Sequence, residues 1–381
     1  MKTKLSSSKI IALLGTAVLL SAQAKEAASP PPKEKALVQI AILLDTSSSM
    51  DGLIEQTKSQ LWKICNEFIK AKQNGVAPEV QVALYEYGNQ GLSAKSGWVR
   101  RVQPLTTDLD KVSEELFALK TNGGDEYCGW VIKDAVKDLE WSPRSDVYKV
   151  IFIAGNEPFT QGPVNYADSC KAAIAKGIIV NTIHCGTERD GIDGKWNDGA
   201  KLADGKYLVI DQDRAVVSIE APQDKEIAQL GVELNKTYVA FGAAGQAGAS
   251  RQMRQDTAVA GLAPASGAPV QRAVAKASAN YQNASWDLVD AAKDKKFDVA
   301  QLKKEELPAE MQKMSEGERK DYVETKSKER ADLQAKIKTL NAEREKYVAA
   351  KTKEASGSNT LDTAMITAVR EQSAKRNFRF E

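Results

Sequence analysis

The stretch LVQIAILLD, residues 37–45, sets the first constraint on what this chain can fold into. Apolar residues run through it almost without interruption, and a strand of that kind needs cover on both faces. Further strand-like runs follow at VQVALYEY, GWVRRVQPL, YKVIFIAG, IIVNTIHCG and the short YLVID. Helix-like segments alternate with them: LIEQTKSQLWKICNEFIKA, DKVSEELFALK, YCGWVIKDAVKDL and YADSCKAAIAKG. This alternation predicts a doubly wound α/β fold, a mostly parallel sheet with helices on both faces. VQVALYEY and WVRRVQPL are separated only by a Gly-containing loop, so one antiparallel strand is expected at an edge.

The helical segment KEIAQLGVELNKTY is expected to close this unit near residue 241. Residues 242–270, with GAAGQAGAS and GLAPASGAP, read as a flexible Gly/Ala-rich linker, and residues 271–381 as a charged helical C-terminal region. Within that region Leu333, Ile337, Leu340 and Tyr347 form a narrow apolar row that Arg344 interrupts, which predicts a solvated helix packing one stripe on its neighbours. A break is expected at SGSN, residues 356–359. At the other end, lysines 2, 4 and 9, an apolar stretch from Ile10 to Leu20 and the sequence Ala22-Gln23-Ala24 form a signal-peptide pattern with cleavage after Ala24. A Pro-rich linker over 25–36 follows, and the expected location is periplasmic or secreted. Lys and Arg number 53 against 51 Asp and Glu, a balance that offers nothing to a nucleic acid.

Ligands of an open α/β sheet bind beyond the carboxyl ends of its strands, which directs attention to Asp45 and the hydroxyl residues after it. The spacing Asp45-x-Ser47-x-Ser49 gathers three oxygen ligands on one tight turn, a donor set suited to a hard divalent cation. A plainer alternative has Asp45 or a serine capping the next helix. The residues resemble the metal-ion-dependent adhesion site of von Willebrand factor type A domains, where an aspartate binds through water and two serines bind directly. LKTNGGDEYCGWVIKDAV resembles the second loop of that family and KVIFIAGNEPF the third, and the resemblance covers about residues 37–241. GNEPFTQGPVNY and NTIHCG resemble a bacterial exported branch of it. The chain departs from the family at both downstream loops: Asp125 follows the Gly-Gly pair where threonine is usual, and Gly155, with Asn156 and Glu157 beside it, aligns with the usual aspartate.

The resemblance implies a metal set of Asp45, Ser47, Ser49 and Asp125, with Asn156 and Glu157 as additional ligands or rim, and Mg²⁺, Ca²⁺ or Mn²⁺ as the ion. It also implies a protein-binding module in which an acidic side chain of the partner completes the coordination shell. Asp125 and Glu126 have an alternative role as caps of the helix beginning near Tyr127. No enzyme activity is expected: the single imidazole, His184, reads as a packed residue at the site rim. Cys170 and Cys185 are the disulfide candidates for an exported chain, with Cys128 a rival partner and Cys65 on an apolar stripe. TERDGIDGKWNDGAKLADG reads as a solvated loop anchored by Trp196 and Leu202, and Trp98 and Trp141 as core or half-buried residues. The competing functional reading is a metal-free structural protein of the cell envelope that acts through its C-terminal helices.

Overall fold

The computed structural model describes residues 35–211, 218–354 and 361–380. The expected signal segment, most of the expected linker after it and the SGSN stretch lie outside the described residues. The chain runs through β1 (Leu37–Asp45), α1 (Asp51–Glu67), β2 (Ala71–Gln73), β3 (Glu79–Tyr87), β4 (Val99–Thr106), α2 (Leu109–Ala118) and α3 (Cys128–Asp138). It continues with β5 (Tyr148–Gly155), α4 (Tyr166–Ala175), β6 (Ile178–Cys185), α5 (Glu188–Asp193), α6 (Trp196–Leu202) and β7 (Tyr207–Ile210). The remaining elements are α7 (Asp224–Leu234), α8 (Gly242–Ala260), α9 (Ala268–Lys276), α10 (Leu288–Ala291), α11 (Glu316–Glu354), α12 (Leu361–Ala374) and β8 (Phe378–Phe380).

The six-stranded sheet has the order β4-β3-β1-β5-β6-β7. Every neighbouring pair is parallel except β3 with β4, so the expected antiparallel strand lies at the edge. Side chains alternate across β1 and sort into two cores. Val38, Ile40, Ile42 and Leu44 meet Leu53, Leu61 and Trp62 of α1 and Val112 and Leu116 of α2. Ala41 and Leu43 meet Val131, Ile132 and Ala135 of α3 and Ala173 of α4 on the other face. The acidic stretch after β6 forms the short helices α5 and α6 and is anchored by the fully buried Trp196, while Trp98 and Trp141 are half-buried.

The element that closes the first face is not the one the sequence points to. Ile227, Leu230 and Leu234 of α7 pack with Val270, Ala273, Val274 and Ile337 in a separate helical core. The sheet is covered instead by α12, whose Met365, Ala368 and Val369 enter the core beside α1. Gln372, buried to 2 % exposure, locks it in place. Its side-chain oxygen accepts from Tyr148 Oη of β5 at 2.8 Å and from Asn181 Nδ2 of β6 at 3.0 Å, and its nitrogen donates to Asn181 Oδ1 at 2.6 Å. β8 then pairs antiparallel with β2. The sheet domain therefore ends with the last described residues, not near 241.

Residues 242–260 are also helical, not a flexible linker. Their small residues serve close packing: a Cβ on Gly248 would fall 2.4 Å from the Trp286 ring. Gln255 accepts from Ser113 of α2 at 2.8 Å and Gln252 donates to Tyr281 at 3.1 Å, both from buried positions. Arg272 of α9 lies 4.7 Å over the Trp62 ring, pairs with Asp110 of α2 at 2.6 Å and also pairs with Asp256 of α8. On α11, Leu333, Ile337 and Leu340 form the expected stripe. Arg344 continues it instead of interrupting it, because the guanidinium is paired with Asp224 at 2.6 Å. Arg330, also buried, ties α11 to Asp287 at 2.7 Å and stacks 4.0 Å over Tyr238.

The disulfide expected between Cys170 and Cys185 is not formed, and all four cysteines are free and buried. Alternation along β6 is the reason. Cys185 shares a face with Ile179 and Ile183 in the first core, while Cys170 of α4 lies in the second, across the sheet. Cys128 shares the core of Cys170, and burial pushes the Cys170 thiol up to about 12.

Because α12 completes the first core, a fragment of residues 35–241 should lack a cooperative thermal transition, whereas the chain of residues 35–381 should show one. In the full chain, Met365→Ala should lower stability by about 2–5 kcal/mol in urea denaturation. Cooperative unfolding of the short fragment at the full-length temperature would contradict this closure.

Candidate functional site

Parallel pairing aligns the ends of β1, β3 and β5, with Asp45 opposite Tyr87. The chain then turns sharply. Thr46 N–H donates to Tyr87 O at 2.8 Å, and Asn122 N–H donates to Thr46 O at 3.0 Å. The Thr46 hydroxyl is 3.2 Å from Glu86 Oε2, and Glu86, itself buried, accepts from Arg100 Nε at 2.5 Å. These contacts fix the turn from three sides and aim the following hydroxyls at the sheet edge. Ser47 N–H donates to Asp45 Oδ1 at 2.7 Å, the Ser47 and Ser49 hydroxyl oxygens are 3.3 Å apart, and Asn156 Nδ2 donates to Ser49 Oγ at 3.2 Å. Neither Asp45 nor a serine caps α1: its N-cap residue is Met50, with no side-chain cap bond.

The acid that enters the site from the second loop is Glu126. Asp125, assigned as the ligand from sequence, is exposed, whereas Glu126 is 3 % exposed with its carboxyl against Asp45 and Ser47. Consecutive side chains on extended backbone point to opposite sides, so one residue of register exchanges the two acids. Two glycines set that register. Gly124, at φ +150°, runs so close to β3's end that a Cβ would fall 2.1 Å from Gly88 O. Gly88, at φ +79°, would bring a Cβ 2.7 Å from Asp45 Oδ1 and 2.8 Å from Glu126 Cγ. Gln161 Oε1 holds the Glu126 N–H at 2.8 Å. Neither acid caps α3, whose N-cap Tyr127 has no side-chain cap bond.

Gly155 explains why no acid stands in the third loop: a Cβ there would lie 2.5 Å from Tyr87 Oη and 3.1 Å from Asp45 Oδ2. Tyr87 fills that space and donates to Ala154 O at 2.9 Å. Asn156 is half-buried beside Ser49, and Glu157 is exposed, with its backbone near enough to the Glu126 carboxyl to favour that carboxyl's charged form.

The electrostatics of this pair are severe. Burial, followed by the adjoining Glu126 carboxyl, raises Asp45 well above the usual carboxylate range. Burial also raises Glu126, the negative charge of Glu157 adds to the effect, and bonds from Asp45 and Ser47 oppose it. Among the described residues Asp45 Oδ2 has no hydrogen-bond partner, and its residue is fully buried. Two carboxyls in reach of each other need a proton or a cation between them. The donor chemistry fits a divalent cation: two carboxylates and two hydroxyls, all oxygen. Among the described residues no group of three or more His, Cys, Asp or Glu side chains is arranged as a metal site, so any cation here depends on the serines.

His184 is not part of this constellation. It is 2 % exposed on β6, 5.7 Å from the Trp196 ring, and pressed by Gly186 and Gly191, with no partner for either ring nitrogen among the described residues.

Comparison with known families finds that residues 39–198 match the von Willebrand factor type A domain. Similar solved structures include the conserved hypothetical protein BatB from Bacteroides thetaiotaomicron, at 19 % identity and TM-score 0.35, covering 46 % of this chain and 90 % of that one. The SpRpn10 VWA domain is 17 % identical at TM-score 0.35, with 46 % of this chain and 87 % of that chain covered. The pilus adhesin SpaC from Lactobacillus rhamnosus GG is 15 % identical at TM-score 0.34, with 48 % and 29 % covered. No curated protein matches the chain.

Burial lowers the affinity of His184 for a proton. Its folded pKa lies below its unfolded value, so the unfolded chain binds the proton first. His184 therefore favours folding most at pH well above about 6.5 and loses that contribution as pH falls through the folded value. His184→Leu should remove this dependence and raise stability by about 1–3 kcal/mol through loss of the unpartnered nitrogens. Urea unfolding at several pH values measures both, and an unchanged pH slope in the variant would contradict the assignment.

Proposed function

Residues 39–198 of this chain are a von Willebrand factor type A domain, and from that premise we propose an exported protein-binding module that recognises its partner through a divalent cation at the carboxyl edge of the sheet. Asp45, Ser47, Ser49 and Glu126 would hold the ion, with Asn156 beside Ser49. Glu126 takes the role that the sequence assigns to Asp125. The single observation that carries this reading is the buried Asp45 carboxylate, with an oxygen that no donor satisfies, facing a second buried carboxylate. A bound Mg²⁺, Ca²⁺ or Mn²⁺ supplies positive charge between the two acids and coordination positions open toward solvent.

The chain's own residues do the rest. Glu86 and Thr46 keep the turn rigid, so the Ser47 and Ser49 hydroxyls need little ordering when an ion arrives. Asn156 fixes the orientation of the Ser49 hydroxyl by donating to its oxygen, which takes up one of that oxygen's lone pairs. Export is supported by the N-terminal signal pattern, and no helix among the described residues is long and apolar enough to cross a membrane. A structural role through the C-terminal helices has one observation in its favour, the exposed charged flank of α11.

Calorimetric titration of Mg²⁺, Mn²⁺ and Ca²⁺ into chelator-stripped mature protein should give single-site binding. Asp45→Ala should abolish it, and Glu126→Ala should weaken it on the order of tenfold or more. Asp125→Ala should leave it unchanged. Absence of binding by the wild type, with a folded protein by circular dichroism, would overturn the reading and favour the structural role.

A further inference from the structure

Asparagine is followed by glycine at two places in the chain, Asn74-Gly75 and Asn122-Gly123. Such a pair can react with itself: the glycine nitrogen attacks the asparagine side-chain carbonyl, and no Cβ on the glycine obstructs the approach. Ring closure makes three demands on the structure. The side-chain amide must be unheld, the glycine N–H must not be committed to a carbonyl, and the backbone between them must be able to rotate.

Asn122 meets these demands. It is exposed, and its side chain has no hydrogen-bond partner among the described residues. Gly123 N–H donates to no carbonyl among the described residues. Residues 121–127 belong to no helix, strand or turn. Asn74-Gly75 is held differently. Both residues lie in left-handed backbone, at φ +52° and +81°, and Gln73 and Val76 exchange backbone hydrogen bonds around them at 2.9 and 3.0 Å. A two-residue hairpin turn closed in this way opposes the rotation that ring closure needs.

The contacts at Asn122 give the reaction a structural consequence. Asn122 N–H donates to Thr46 O at 3.0 Å, and Gln90 N–H is shared between Asn122 O at 3.2 Å and Gly123 O at 3.0 Å. These bonds tie the second loop to the turn after β1 and to the chain leaving β3, just before Gly124 presses on Gly88 and sets the register of Glu126.

We propose that Asn122 is a site of spontaneous deamidation, and that the modification loosens the loop that positions Glu126. The Gly123 nitrogen bonds to Asn122 Cγ, the Cγ–Nδ2 bond breaks, and Nδ2 leaves as ammonia with the Gly123 amide proton. Water is the co-reactant that opens the resulting succinimide. Opening at Cγ gives aspartate, whereas opening at the main-chain carbonyl gives isoaspartate, in which the chain runs through Cγ and is one carbon longer. Gln90 N–H then loses its shared pair of main-chain carbonyls, because one of them has become a free carboxylate. No atom of the cation site takes part, so the modification goes beyond the cation reading and does not depend on it.

The test incubates the full chain at mildly alkaline pH and follows both asparagines by peptide mapping, with isoaspartate-specific methyltransferase labelling. Conversion of Asn122 to aspartate and isoaspartate should outpace conversion of Asn74. Gly123→Ala should lose the reaction, because its Cβ obstructs the attacking nitrogen. That Cβ would meet only side-chain atoms, the nearest being Gln90 Oε1 at 3.3 Å, so the variant should fold, as circular dichroism would verify. In the isoaspartate fraction, hydrogen exchange at the Gln90 amide should be faster than in fresh protein. An intact Asn122, conversion no faster than at Asn74, or equal conversion in Gly123→Ala would overturn the site. Unchanged exchange at Gln90 in the isoaspartate fraction would overturn the loosening.

Discussion

A buried carboxyl at the end of a buried strand is the constraint around which the sheet edge is arranged. β1 is covered on both faces along nearly its whole length, so its last residue, Asp45, is itself fully buried. Desolvating a carboxylate is expensive, and a second carboxylate, Glu126, adds to the difficulty. The surrounding sequence follows from that. Gly88 and Gly124 let the backbone close over the pair, Gly155 leaves room for Tyr87, and the Ser47 N–H neutralises only one of the Asp45 oxygens. Two acids kept together at such cost are the physical basis of the site proposed here.

The same strand explains why the C-terminal region is not an appendage. A strand buried on both faces needs a complete helical layer on each, and α1 with α2 covers only part of one. α12 supplies the missing cover after the chain has made a long detour through α7–α11. The detour is itself tied down by buried ion pairs, Arg272 with Asp110 and Arg330 with Asp287. Removing one partner of such a pair leaves an uncompensated charge, typically worth about 3–5 kcal/mol, so these contacts make the helical layer and the sheet interdependent.

The local signals in the sequence reported the local structure well. Apolar runs marked β1, β3, β5 and β6, the close spacing of β3 and β4 marked the antiparallel edge, and Asp45-x-Ser47-x-Ser49 marked the turn at the sheet end. What could not be read depended on contacts distant in sequence. Nothing within residues 361–380 announces a partner more than 180 residues earlier, such as Tyr148 or Asn181 for Gln372. Small residues over 242–260 look like a linker until Trp286 is found pressed against Gly248. The choice between Asp125 and Glu126 turned on a single residue of register, set by the approach of Gly124 to Gly88. The signal available was the position two residues after the Gly-Gly pair, one beyond the residue chosen.

Anomalous diffraction from crystals soaked in Mn²⁺ tests the central claim most directly, because it locates an ion instead of inferring one from heat. The account predicts a single strong peak beside Asp45, with Ser47, Ser49 and Glu126 oxygens at about 2.1 Å or bridged to it by one water. A peak ligated by Asp125 with Glu126 turned away, or no peak at this edge, would contradict it.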